Sequence, residues 1–472
     1  MAGFCFSARV LTSWFFLLLA GIPAVLIRVD VVPAQVVGMT KIRPFVTGYI
    51  PVVGSDGSVG GISIDADGVL ATARPEAMRR LKEARERLFT AVPEALGDAA
   101  EMRKISLRQL EAALAAAAKE KRPLADEFRL LGGLQRVRYV FVYPEQNDIV
   151  LVGPAEGWRV DEAGITVGQT TGRPVMLLDD LLVALRSALA VRAEPISCSI
   201  EPTAEGRRAF EAYMRRQRQF SPTVVDGIQR SLGAQQIIVT GVPAASHFAR
   251  VLIASDYRMK RIAMHLDPSP VRELPSYLDM VRSARDVDRN AMPRWWLACD
   301  YEPLSCSADD LAWELRGRGV KAMTEDDLIA ADGTTKRTGA TNPVAQKWAD
   351  KMNAHFEELA AKNAVFGQLR NVMDLCVVAA LIHRYDLTGR AGCSLPYMTH
   401  PESPVGTAQF RVPKSVATQC SVVKRGRNWI ITASGGVEID GWQFVERRRQ
   451  TDEVTKLRHA AAPPDVVVWC WN

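Results

Sequence analysis

A cysteine becomes a nucleophile when an imidazole takes its proton, and Cys393 with His400 is the candidate pair for that chemistry. Seven residues of loop specify no geometry, so a structural cysteine paired with Cys420 is the preferred reading. Asp256 and Lys260 stand four apart in the order that favours a helical ion pair. An exposed structural pair is preferred there over an acid/base couple. Asp374 interrupts an apolar helical run; capping, or pairing with Arg370 one turn earlier, is preferred over a functional carboxylate. Asp65-x-Asp67-Gly68 resembles the opening of a calcium loop, but the remaining oxygen ligands and closing Glu are missing at the required offsets, so it reads as a turn.

Other chemistries lack their signatures. The histidines at 247, 265, 355, 383, 400 and 459 form no H-E-x-x-H, and no C-x-x-C or Cys/His cluster has zinc-finger spacing. There is no G-x-S-x-G, and Ser434 in Ala-Ser-Gly-Gly lacks the nucleophile-elbow frame. Neither a G-x-x-x-x-G-K-[ST] loop nor a dinucleotide fingerprint after a strand is present. The expectation is no catalytic, cofactor-binding or metal-binding residues, and no cofactor. Convergence of groups around Asp256, His265 or Cys393 would overturn it.

The elements that must position these residues are those of a folded chain of 472 residues, 48% hydrophobic and 24% charged. Arg9 before the apolar stretch Val10 to Ile27, followed by Val32-Pro33-Ala34, has the order of a secretory signal cleaved after Ala34. An uncleaved anchor is the alternative. No other stretch is expected to span a membrane, which places the mature chain in an exported, oxidising compartment. Lys+Arg exceed Asp+Glu by 59 to 53, too mild an excess to argue for nucleic acid. Residues 407–460 carry ten basic against five acidic side chains; a solvated face is preferred over an anion-binding surface. Of eight cysteines, Cys5 leaves with the leader, and at least one of the remaining seven stays unpaired within the chain. Cys376, in an apolar run, is the expected free thiol, and Cys299 with Cys306 the best local disulfide candidate.

The patterning predicts an α+β protein: a mixed α/β central core, a helical N-terminal segment, a helical hairpin and a small C-terminal antiparallel β-sheet. The expected divisions are a signal peptide 1–34, a β-hairpin plus helical region 35–131, the core 132–330, a mobile loop 331–341, the helical hairpin 342–388 and a basic β-rich tail 389–472. Gly60 to Leu70 reads as strand, Asp-Gly turn, strand. Residues 75–131 read as two or three helices, with a capping box at Ser106-x-x-Gln109. Val137 to Tyr143 and Ile149 to Gly153 form an antiparallel pair, and Gln236 to Thr240 a buried strand. Ser246 caps a helix with Phe248, Val251, Leu252, Ser255, Met259 and Ile262 on one face. Arg294 to Leu297 and Leu311 to Leu315 read as strands of one sheet, with one of Trp295 and Trp296 in the core. Asn342-Pro343 starts a helix, and Val466 to Trp471 pairs with a sheet or packs on a core.

Ile253 to Ile262, Leu274-Pro275-Ser276-Tyr277-Leu278, Arg294-Trp295-Trp296 and Phe366 to Asn371 together resemble a family of exported planctomycete proteins known only as a domain of unknown function, over about residues 130–390. The resemblance implies a bacterial, exported context and brings no catalytic residues. The expected function is a non-enzymatic cell-surface or envelope protein, binding or structural. Its partner is unknown, with an anionic surface polymer or an envelope protein engaging the basic C-terminal region as the options weighed. A secreted hydrolase with a site assembled from distant residues is the alternative.

Overall fold

In the computed structural model, residues 59–88, 91–217, 222–283, 292–329, 335–337, 342–425, 427–431, 434–464 and 468–472 are described. All lie in the unit Phe45–Asn472. The leader 1–34 and most of the loop 331–341 fall outside them, although Thr335–Arg337 forms a strand. The described chain is 45% helical and 23% strand, and most strand neighbours are antiparallel, so the class is α+β.

A nine-stranded sheet runs Ile62–Ile64, Val69–Thr72, Ser415–Ala417, Ala234–Thr240, Ile196–Pro202, Ser434–Ile439, Met292–Asp300, Gly319–Ile329 and Thr335–Arg337. A seven-stranded sheet runs Arg448–Gln450, Leu304–Cys306, Ala312–Glu314, Tyr139–Tyr143, Asp148–Ala155, Ala100–Ser106 and Cys470–Trp471. Helices Leu178–Ser187, His247–Ala263 and Ala364–Arg384 pack on one another, and a single hydrophobic cluster extends from Val59 to Val445. Ala364–Arg384 is long and apolar enough to cross a membrane, but its apolar window is wholly buried in this core.

Local chemistry explains many boundaries. Ile64 pairs with Leu70 across the turn in which Asp65 Oδ1 accepts from the Asp67 and Val69 amides, a turn and not a cation loop. Ser106 and Ser246 cap their helices by accepting from Gln109 N and Ala249 N, and Asn342 accepts from Val344 N and Ala345 N ahead of Pro343. Trp295 enters the core, edge-on to Tyr277 and Trp348, whereas Trp296 is half-buried. Cys470–Trp471 pairs with the strand Ala100–Ser106.

Several expectations are corrected. The region 75–131 is interrupted by the strand Ala100–Ser106, whose charges hid it. Arg103 is fully buried, donating to the carbonyls of Leu96, Asp98 and Gly132 and to Asn472 Oδ1. Gln236 to Thr240 is half-exposed, because one face of the sheet is uncovered there. Arg294 to Leu297 and Leu311 to Leu315 lie in different sheets, since Tyr301–Pro303 carries the chain from one sheet to the other. That crossover separates Cys299 from Cys306, so the expected disulfide does not form. All seven described cysteines are unpaired, Cys393 and Cys420 included. The tail contributes the hairpin Ser421–Arg425 with Arg427–Ile431, but Ser434–Ile439 inserts in the nine-stranded sheet, parallel to Met292–Asp300.

Candidate functional site

The residues that sequence singles out do not converge. Asp256 is fully buried and Lys260 nearly so, contrary to the expected exposed pair, because their helix is covered on almost every side. Lys260 Nζ donates to Asp256 Oδ2 (2.8 Å), Ile200 O (3.1 Å) and Gly435 O (3.2 Å), which spends all three donors. Burial pushes the Asp256 carboxyl up against the pull of Lys260, and its Oδ1 has no partner. This pair staples the helix to two strands.

His265 lies at the surface, its Nδ1 3.0 Å from Asp279 Oδ2 and 3.1 Å from Ser276 Oγ. Cys393 is buried, its thiol pushed up to about 11 by burial, and its charged neighbours Asp148, Arg108 and Glu111 differ from those of Asp256. His400 is exposed and accepts from the Glu402 amide, so the Cys393/His400 couple does not exist.

Asp374 pairs with Arg136 rather than Arg370. Arg136 Nε and Nη2 each lie 3.0 Å from its oxygens, and Tyr301 OH donates at 2.6 Å. Arg370 instead meets Glu357 at 2.8 Å. The expected i−4 partner loses to a residue distant in sequence whose fork matches the carboxylate face to face.

Sequence reasoning missed one buried couple. His247 Nδ1 lies 3.0 and 2.9 Å from the two Asp180 oxygens, and Nε2 is 3.4 Å from Gln368 Nε2. With Nδ1–H donated to Asp180, Nε2 accepts from the Gln368 amide, so neither nitrogen is open to a substrate. No spacing signals a couple built from three separate helices.

One opening among the described residues is a cleft of about 260 Å³. Its walls are the hairpin at Gly60, Gly61 and Thr72, the helix at Tyr257, Arg258 and Arg261, and the start of the helix Ala364–Arg384. Gly60, at φ +61°, makes the seating possible. A Cβ there would meet Ala254 Cβ and Val365 Cγ2 at 2.6 Å. Arg261 grips Asp267 through two 2.8 Å bonds, and its Nη1 donates to Gln419 Oε1 at 2.9 Å. Arg258 Nη1 shares the same Asp267 carboxylate. Burial raises that carboxyl, but the two guanidinium groups outweigh it and hold it below the usual range. Tyr257 OH lies 3.3 Å from Thr72 Oγ1, and Arg261 sits over the Tyr257 ring. Two cations thus share one anion, and Arg258 keeps Nε and Nη2 unspent among the described residues.

The helix that supplies this wall lies in the one segment with a recognisable relationship. Residues 198–277 match the family described as protein of unknown function (DUF1598). Of the resemblance read over about 130–390, the domain of unknown function is supported across this narrower span, which holds Ile253 to Ile262 and Leu274 to Tyr277 but not Arg294 to Trp296 or Phe366 to Asn371. Tyr257, Arg258, Arg261 and Asp267 all lie inside the matched segment. No curated protein and no solved structure matches the chain.

Proposed function

We propose that this chain is an exported, non-enzymatic envelope protein that binds a small carboxylate- or phosphate-bearing ligand in the cleft beside Arg258. The observation that carries the reading is Arg258, which lines the cleft with Nε and Nη2 unspent among the described residues, while the Asp267 carboxylate it touches is already held by Arg261. A guanidinium binds oxyanions in a fixed fork and does not exchange its proton at working pH, so this wall suits recognition rather than proton transfer. The buried acids Asp256, Asp374 and Asp180 are taken up by Lys260, Arg136 and His247, which leaves them holding the fold.

The basic tail is the weaker docking surface. Arg411 donates to Ile64 O, Arg448 pairs with Asp310, Arg447 lies over Phe444 and Arg458 is buried against Val142 O. Export rests on the leader sequence 1–34 and is compatible with unpaired thiols, because burial raises the pKa of Cys198, Cys299, Cys376 and Cys393 and slows oxidation.

Calorimetric titration of the full chain with inorganic phosphate and with citrate tests the binding. One saturable site that Arg258→Ala removes supports the reading. No heat with either anion, or binding that survives Arg258→Ala, defeats it. Intact mass from the native host tests export: a chain beginning at Gln35 in the exported fraction is expected, and a full-length cytoplasmic chain would refute it.

A further inference from the structure

Outside the cleft, a histidine without a hydrogen-bonded side chain stands between two carboxylates. His355 closes the helix Pro343–Ala354 and opens the helix Phe356–Lys362. Its amide donates to Lys351 O and its carbonyl accepts from Leu359 N, so both helices fix its backbone. Its imidazole makes no hydrogen bond among the described residues, and Nδ1 stands 3.9 Å from Glu358 Oε2. Glu273 reaches the same corner from the loop that follows the helix His247–Ala263. That loop is pinned there by two donors, Trp348 Nε1 on Pro275 O (3.0 Å) and Lys351 Nζ on Glu273 O (3.4 Å).

We propose that Glu273, His355 and Glu358 form a divalent-cation site of the zinc class, which clips the end of the matched segment to this helix corner. One nitrogen and two carboxylate oxygens lie within 4.8 Å of one another. Around one zinc ion at bond lengths of about 2.1 Å, such atoms are about 3.4 Å apart. Two glutamate side chains, one exposed and one half-buried, supply that contraction without backbone movement. A cation also relieves the repulsion between the two carboxylates, which Lys362, 2.6 Å from Glu358, offsets only on one side. An imidazole with two carboxylates suits zinc, whereas calcium takes six to eight oxygens. A bound water completes four ligands, and the exposure of Glu273 gives the ion a route in. Sequence inspection passes over the set because its first ligand is remote from the other two.

Titration of the untagged full chain with zinc tests the proposal, with circular dichroism to check the fold of each variant. One equivalent binds, and His355→Ala and Glu273→Gln each weaken it by about tenfold or more. Lys362→Ala tightens it, because Glu358 no longer has to leave an ammonium partner. Melting of the wild type rises by about 3 °C at a hundredfold excess of zinc over Kd, and the His355→Ala protein does not show the rise. Cobalt in place of zinc gives a visible spectrum without a thiolate charge-transfer band. Binding unchanged by His355→Ala, equal affinity for calcium, a thiolate band, or no binding at all would each overturn the proposal.

Discussion

Asp374 in the core and Asp267 in the cleft are each gripped by an arginine with two parallel bonds, and they differ in what remains afterwards. Asp374 receives Arg136, the Tyr301 hydroxyl and the Val137 amide, and its environment is closed. Asp267 receives two arginines, and one of them, Arg258, lines an opening and keeps donors unspent among the described residues. A closed network is bound to fail when one member is removed, because the remaining charge is stranded away from water. An open one changes what it binds. The same pair of residue types therefore serves the fold in one place and points to a ligand in the other.

The largest break in this contrast is Asp374→Ala, which strands the mostly buried Arg136. A loss of about 3–5 kcal/mol is expected by denaturant unfolding, and a loss below about 1 kcal/mol would show the core network to be dispensable. Lys260→Met comes next, at about 2–4 kcal/mol, because Asp256 is left buried without its cation. The cost is limited by protonation of Asp256, whose carboxyl burial already pushes up. The native state then keeps a proton that the unfolded state releases, so the variant loses stability as pH rises from below the ordinary aspartate value to neutral. The double variant Asp256→Leu/Lys260→Met removes both charges, and it should recover much of the loss and show no such slope. A pH-independent Lys260→Met protein would mean that Asp256 finds another partner.

The elements were legible where local chemistry decides them. Ser106, Ser246 and Asn342 announce their helices, and the Asp65–Gly68 turn announces its hairpin, because each cap or turn is satisfied within a few residues. The partners of the buried charges were not legible. Asp374 chose Arg136 over its helical neighbour Arg370, and Lys260 found carbonyls in two strands, since long-range packing sets these choices. Arg103 shows the limit most plainly: a charge in an apparently polar segment is fully buried on three carbonyls and Asn472. The cleft itself gave no signal. Tyr257, Arg258 and Arg261 stood within the stretch that carried the family resemblance, but their convergence on Asp267, Gln419 and Thr72 depends on loops and strands that fold onto them.

Gly60→Ala separates the cleft from the core. Its new methyl group meets Ala254 and Val365, and its φ of +61° disfavours any side chain. A loss of about 1–3 kcal/mol is expected as the hairpin lifts, with phosphate binding lost at temperatures where the helices remain folded. Loss of helix and binding together in one transition would show that the hairpin is part of the core's cooperative unit.

The smallest change in stability, and the sharpest test of the contrast, is Asp267→Asn. The amide keeps hydrogen-bonding capacity but loses the charge, so the fold loses about 1 kcal/mol. Asp267 is held below the usual carboxylate range in the native state, so its contribution is present above the unfolded aspartate value and fades as pH falls through the folded one. The variant should lack that acid-side decline. Meanwhile Arg258 and Arg261 are released from their shared anion, and phosphate affinity should rise by about tenfold, the worth of one additional charge-assisted bond. Stability and binding then move in opposite directions, which no substitution at Asp374 can produce. If Asp267→Asn weakens phosphate binding along with the fold, Asp267 is positioning Arg258 for the ligand rather than competing with it, and the cleft is organised as tightly as the core.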